Sequence, residues 1–215
     1  MGLSQEFASY FSPSYILLSQ LPQIGDKAPS SPLLVLPADN GNPTILSFLR
    51  HCGCPGLSCK PSPDMSKTNP RSLSKAAEVA FLEMRTAAAQ NPDINFIAIS
   101  HSDQSSTDKW LSAVGGAGSV TVIVDFEREL YALWGLGIVS WGHMFSPGGL
   151  MGIFRMGKDK GIWNRPTQSG SRWQSSGYWA VDGEGYVRWG GPAARVDDVG
   201  RVPEAIDALR GSRQG

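Results

Sequence analysis

The sequence predicts an α/β fold: a central mixed β-sheet flanked by helices and closed by a C-terminal β-hairpin and helix. Three observations carry this. Apolar and β-branched runs at 44–50, 94–100 and 119–125 alternate with helical runs, the pattern of strands joined through helices. Two aromatic-rich runs flank Asp182-Gly183 in "SGYWAVDGEGYVRWGG", which is hairpin chemistry. One apolar run, "TILSFLR", empties directly into the stretch that holds all three cysteines.

Residues 1–23, with Pro13 and Pro22, read as an N-terminal extension, and 24–212 as the folded domain. "PLLVLP" (32–37) predicts a short strand bounded by prolines, and Asn40-Gly41 after it a tight hairpin turn. "TILSFLR" (44–50) predicts a central strand buried on both faces. Residues 56–75 differ in kind. With three prolines, five serines and few bulky apolar groups, they read as an inserted loop. "AAEVAFLEMRTAAAQ" (76–90) predicts a helix with Ala77, Ala80, Phe81, Met84 and Ala88 on one face, stopped by Asn91-Pro92. "INFIAIS" (94–100) predicts a strand and "SSTDKWLSAV" (105–114) a helix capped by its serines and ended by Gly115. "SVTVIVD" (119–125) predicts a strand, "FERELYALWG" (126–135) a short helix, and 146–161 a helix weakened by Gly148 and Gly149. The hairpin at 177–191 comes next, and "PEAIDALRG" (203–211) predicts a last helix with Pro203 near its first turn.

At 215 residues the chain can bury a core without disulfide staples. Nineteen basic against nineteen acidic residues leave no net charge, which argues against broad attraction to nucleic acid or anionic membrane. No run approaches the ~20 apolar residues of a membrane helix. The N-terminus shows no secretory pattern, and three cysteines do not suggest a disulfide scaffold, so a cytoplasmic protein with reduced thiols is expected.

"SFLRHCGCPGLSCKPSPDM" (47–65) is the stretch with chemistry in it. A thiol is nucleophilic as its thiolate, and a strand end that opens onto a helix N-terminus supplies positive potential to hold one. Arg50 and a protonated His51 would add to it. Cys54-Pro55 suits such a site, because proline tolerates a first helical turn. A low-pKa thiolate can attack peroxide, pass through sulfenic acid and be resolved by a second thiol. Cys52 is nearest, although two cysteines two apart in extended chain have Cα atoms ~6.6 Å apart, near the edge of disulfide geometry. Cys59 is the other resolving candidate. Against this stands a plainer reading, with Cys52 as strand core and Cys59 as an incidental thiol. A metal reading of His51, Cys52, Cys54 and Cys59 lacks the two separated knuckles that structural zinc sites bring, and no metal site is expected. A strand that ends in cysteines and leads to a helix is the layout of a thioredoxin-type fold.

"FLRHCGCP", preceded by "IGDKAPSSPLLVLP", resembles the AhpC/TSA-type peroxiredoxin-like proteins of the thioredoxin superfamily, in their fungal "FLRHxGCP" branch. The resemblance continues through "NFIAISHS", "STDKWLSAVGG", "VIVDFERELYALWGLG" and "AVDGEGYVRWGGPA". It implies a thioredoxin-like fold and an antioxidant oxidoreductase acting on a peroxide or small-molecule disulfide. Cys54 would be the attacking thiol, and Arg172 the arginine that donates hydrogen bonds to the leaving oxygen. Thioredoxin or glutathione would be the reductant, no bound cofactor is implied, and a homodimer is compatible with it. The sequence departs from the family in four places, one being that "SVTVIVD" lacks the proline that packs against the active thiol in many thioredoxin folds. His51 stands where a peroxide-orienting threonine is usual, Leu57 stands at the C-x-x-C partner position, and 56–75 separates Cys54 from the next helix. These departures keep a second expectation open: a redox-inactive thioredoxin-fold binding or accessory protein, for instance in small-molecule biosynthesis.

Seven tryptophans, six of them from Trp134 onward, read as core and loop anchors, with an apolar ligand wall as the sharper alternative. His101, directly after "IAIS", reads as a structural histidine at the edge where α/β proteins place functional loops.

Overall fold

The computed structural model describes residues 16–49, 73–138, 174–193 and 201–212, with side chains described from Ala80 onward in the first helix. Five strands among them form one sheet: β1 (Thr44–Phe48), β2 (Asn95–Ser100), β3 (Thr121–Val124), β4 (Gly177–Val181) and β5 (Val187–Pro192), in the order β3-β2-β1-β4-β5. β1 runs parallel to β2, and β2 to β3, while β4 is antiparallel to both β1 and β5. The mixed α/β fold expected from the sequence is therefore the one observed. Every residue of β1 is buried, as its continuous apolar run requires of a central strand.

Side chains alternate across β1, so one strand serves two cores. Ile45 and Leu49 point into the first, with Phe81, Met84 and Ala88 of α1 (Leu73–Gln90), Trp110 of α2 (Gln104–Ala113), and Ala205, Ile206 and Leu209 of α4 (Val202–Ser212). Leu46 and Phe48 point into the second, with Leu130 and Tyr131 of α3 (Glu129–Leu133), Trp134 and Trp179. The expected face of α1 is the buried one at Ala80, Phe81, Met84 and Ala88. That helix stops before Asn91-Pro92, where Asn91 Nδ2 donates to Ala87 O (2.8 Å) and its Oδ1 accepts from Arg210 of α4 (2.7 Å). It begins at Leu73, so its first turn takes in residues that the sequence alone places in the inserted loop.

Several local expectations are corrected. "PLLVLP" joins no strand of the sheet. Ser31 and Leu34 close a tight turn on each other, and the alternation of exposed Leu33 and Val35 with buried Leu34 and Leu36 reflects a turn laid on the second core. Asn40-Gly41 makes a turn but no hairpin. The side chains of Asn40 and Asn95 exchange hydrogen bonds (2.9 and 3.0 Å), tying the entry of β1 to that of its parallel neighbour β2. α2 is capped by Asp103, not by its serines: Asp103 Oδ1 accepts from Ser106 N (2.8 Å), and the carboxylate is the stronger acceptor. The expected helix at 146–161 lies outside the described residues.

The β4–β5 turn is longer than Asp182-Gly183 alone. Asp182 Oδ1 accepts from the backbone N–H groups of Glu184 (3.0 Å) and Tyr186 (2.8 Å), and its Oδ2 accepts from Arg188 Nε (2.5 Å). Burial pushes the Asp182 carboxyl up, but these hydrogen bonds and the Arg188 charge outweigh it and hold the pKa below the ordinary 3.8. A lowered native pKa gives stability that is present above 3.8 and lost as the pH falls through the native value. Asp182→Asn should therefore cost on the order of 1–2 kcal/mol at pH 7. Urea melts should show the gap to wild type closing as the pH is taken below 3.8.

Candidate functional site

The carboxyl ends of β1, β2 and β3 all open on one edge of the sheet, and the buried polar groups gather there. Of the nine buried polar or charged residues among those described, six stand at this edge: Ser100, His101, Ser102, Thr107, Asp125 and Gln174. Burying polar groups is unfavourable unless they are bonded, and the bonds here fix three strand ends together. Ser100 Oγ lies 3.0 Å from Thr107 Oγ1 in the first turn of α2 and accepts from Ser102 N (3.2 Å). Asp125 N donates to Ser100 O (2.7 Å), tying the end of β3 to that of β2.

Asp125 also organises the start of α3. Its two carboxylate oxygens accept from Glu129 N (2.9 Å) and Tyr131 N (3.1 Å), so the first turn of α3 is capped from four residues upstream. Arg128, at the cap position itself, has φ of 62° and makes no side-chain cap. Burial pushes the Asp125 pKa up, and the backbone N–H groups of Tyr131, Glu129 and Leu130 pull it part of the way back.

Tyr131, fully buried, is presented by that turn to the exit of β1. Its hydroxyl lies 2.5 Å from Leu49 O and 2.9 Å from Ile99 O, and Leu49 N donates to the same Ile99 carbonyl (2.9 Å). Its ring stands edge-on to Phe48 (5.2 Å) and to buried His101 (5.3 Å). On the β4 side, Gln174 Nε2 donates to Leu136 O (2.9 Å), and Ser175 donates to Gly137 O from both its N (3.0 Å) and its Oγ (2.7 Å).

The structure thus describes the frame around the exit of β1. The candidate residues themselves, Arg50, His51, Cys52, Cys54, Cys59 and Arg172, lie outside the described residues. Trp134 and Trp179 are fully buried and pack on each other (5.0 Å) and on Phe48 (5.6 and 5.5 Å). These two are core, as the plainer reading of the tryptophans expects. Among the described residues, a cleft of about 90 Å³ nearby is lined by aliphatic groups with Arg128 and Gln174. Among the described residues no group of three His, Cys, Asp or Glu side chains is placed to hold a metal ion. No described helix is long and apolar enough to cross a membrane.

Asp125 and Tyr131 were not singled out from the sequence, although an aspartate directly before the helical run expected at 126–135 is a capping signal. Gln174 carries no local signal. Its partners are 37 and 38 positions away.

No protein-family model matches this sequence. No curated protein matches it either. Solved structures do match its fold. A thiol peroxidase from Chromobacterium violaceum aligns over 93% of this chain and 92% of its own, with a TM-score of 0.53 at 14% identity. A peroxiredoxin-like protein from Aquifex aeolicus aligns over 91% and 90%, with a TM-score of 0.54 at 11% identity. The fold is thioredoxin-like. At such identities the likeness is one of fold, and the chemistry has to be argued from this chain's own residues.

Proposed function

We propose that this chain is a peroxiredoxin-like thiol oxidoreductase of the "FLRHxGCP" branch, with Cys54 as its nucleophile. The observation that carries the reading is the placement of β1. The central, wholly buried strand of a thioredoxin-like sheet ends at the polar edge and runs in sequence straight into Cys52 and Cys54. In the proposed reaction the Cys54 thiolate attacks the peroxide's terminal oxygen. The O–O bond breaks, the alkoxide leaves and takes a proton, and Cys54 becomes a sulfenic acid. The thiol of Cys52 or Cys59 then displaces water to form a disulfide, and thioredoxin or glutathione reduces it. Arg50, His51 and Arg172 supply positive charge and hydrogen bonds to the thiolate and the departing oxygen. A cytoplasmic location and a homodimer belong to the same proposal.

The test is mass spectrometry of the three cysteines after a peroxide pulse, paired with Cys54→Ser. Oxidation should begin at Cys54, and the serine variant should consume no peroxide above background. Equal consumption by variant and wild type removes the reading. The departures at His51 and Leu57 favour the second reading, a redox-inactive binding module. A Cys54 that alkylates with the pKa of a free thiol, about 8.5, would support it.

A further inference from the structure

We propose that Asn40 is a site of spontaneous covalent modification, deamidation by attack of the neighbouring Gly41 N, and that its amide pair with Asn95 sets the rate. The proposal stands apart from the thiol chemistry and needs none of it. Asn40-Gly41 is the only Asn-Gly pair in the sequence, and both residues are exposed to water. Glycine has no side chain to keep its N from the carbon of the preceding side-chain amide. In the reaction Gly41 N bonds to Asn40 Cγ, the Cγ–Nδ2 bond breaks, and ammonia leaves with the proton from Gly41 N. Water then opens the resulting five-membered imide at one of its two carbonyls. One opening leaves an aspartate at position 40. The other leaves an isoaspartate, whose main chain runs through the extra side-chain carbon.

The fold restrains the atoms that this step must move. Asn40 Nδ2 donates to Asn95 Oδ1 (2.9 Å), and Asn95 Nδ2 donates back to Asn40 Oδ1 (3.0 Å). Asn42 N also donates to Asn40 Oδ1 (3.0 Å), which holds the amide over the turn. Gly41 N, the attacking atom, donates to Ala38 O (2.9 Å) and must give up that bond to lose its proton. The product cannot remake the pair. A carboxylate only accepts, so Asn95 Oδ1 loses its donor and faces a second acceptor. Asn95 opens β2 beside Thr44 of β1, so the modification loosens the tie between the two strand entries. An isoaspartate also lengthens the main chain where Gly41 O packs so closely on the β4–β5 turn that Gly183 has no room for a Cβ.

The test is peptide mapping by mass spectrometry after the folded protein has stood at mildly alkaline pH. It follows the one-dalton gain at Asn40 and the separate aspartate and isoaspartate peptides. Wild type is compared with itself unfolded in urea and with two variants. Asn95→Ala frees the amide, and Asn95→Asp keeps the acceptor for Asn40 Nδ2 but removes the donor to its Oδ1. Leu130→Ala is the control. Leu130 is buried in the second core, in the turn of α3 that Asp125 holds at the carboxyl edge, so its truncation loosens the fold away from the strand entries. Folded wild type should convert slowest and the unfolded chain fastest. Asn95→Ala should convert faster than folded wild type on the order of tenfold, the weight of about one net hydrogen bond on the barrier. Asn95→Asp should fall between them, and Leu130→Ala should match wild type well below its melting temperature. Asn40→Asp, which is the aspartate product, should melt below wild type. If the unfolded chain keeps Asn40 intact, the site is overturned. If both Asn95 variants convert no faster than wild type, or Leu130→Ala speeds up as much as they do, the amide pair does not set the rate and the proposal is overturned. Should Asn95→Ala fail to fold, Asn95→Asp decides the same comparison. If Asn40→Asp melts at or above wild type, the strand entries do not depend on the lost donor and that consequence is overturned.

Discussion

Gly190→Ala is expected to leave too little folded protein to assay. Two independent obstacles coincide at this position. Its φ is +120°, a region open to glycine and strained for a residue with a Cβ. A Cβ there would also lie 2.0 Å from Tyr178 O and 2.6 Å from Trp179 Cα, both main-chain atoms of the neighbouring strand. Backbone cannot swing aside as a long side chain can, so relief would require parting β4 from β5. A loss on the order of 4 kcal/mol or more is a large share of the ~5–15 kcal/mol that holds a domain together. Gly211→Ala makes the contrast. It lies in α4 at ordinary φ with nothing within 4 Å of the added carbon, and alanine there should be neutral or add about 0.5–1 kcal/mol through helix propensity. Soluble yield and circular-dichroism melts of the two variants check both. A Gly190→Ala protein that melts within a few degrees of wild type would contradict the strand geometry.

The legible and illegible parts of this fold divide by the range of the interactions that make them. β1, β2, β3, α1, α4 and the β4–β5 pair are readable because they mark neighbouring residues, by a continuous apolar run in the wholly buried β1 and by a helical period at Ala80, Phe81, Met84 and Ala88 of α1. "PLLVLP" imprints the strand period as well, yet no described strand pairs with it, and pairing is a property of the partner. The Asn40-Gly41 turn carries hairpin chemistry, but the sheet places β2 and β4 beside β1, and Asn40 bonds to Asn95 across 55 positions. The same division holds at the candidate site. Reactive residue types drew attention to 50–59, a local signal. The frame that holds the exit of β1 joins positions 49, 99, 125 and 131, and no short window contains them together.

Trp179→Ala should be the costliest truncation around that frame. The ring is fully buried and lies against Phe48, the last residue of β1, and Trp134. It also lies over Gly177, where even a Cβ would come 2.4 Å from it. Removing it leaves a cavity that two other large rings cannot close, and such truncations cost about 3–5 kcal/mol. For a chain of this size that is a fall in Tm of roughly 6–20 °C. Trp179→Phe should behave differently, for a reason particular to this site. The buried Nε1 of Trp179 has no hydrogen-bond partner among the described residues, and an unmet buried donor costs about 1–3 kcal/mol. Phenylalanine loses part of the ring but also loses that donor, so the two effects offset and the change should stay under about 1.5 kcal/mol. Calorimetry on the pair decides it. If alanine and phenylalanine melt alike and close to wild type, the ring is not seated between Phe48 and Trp134. If alanine alone is strongly destabilised, the aromatic cluster is what holds Phe48, the last residue of β1, in the second core.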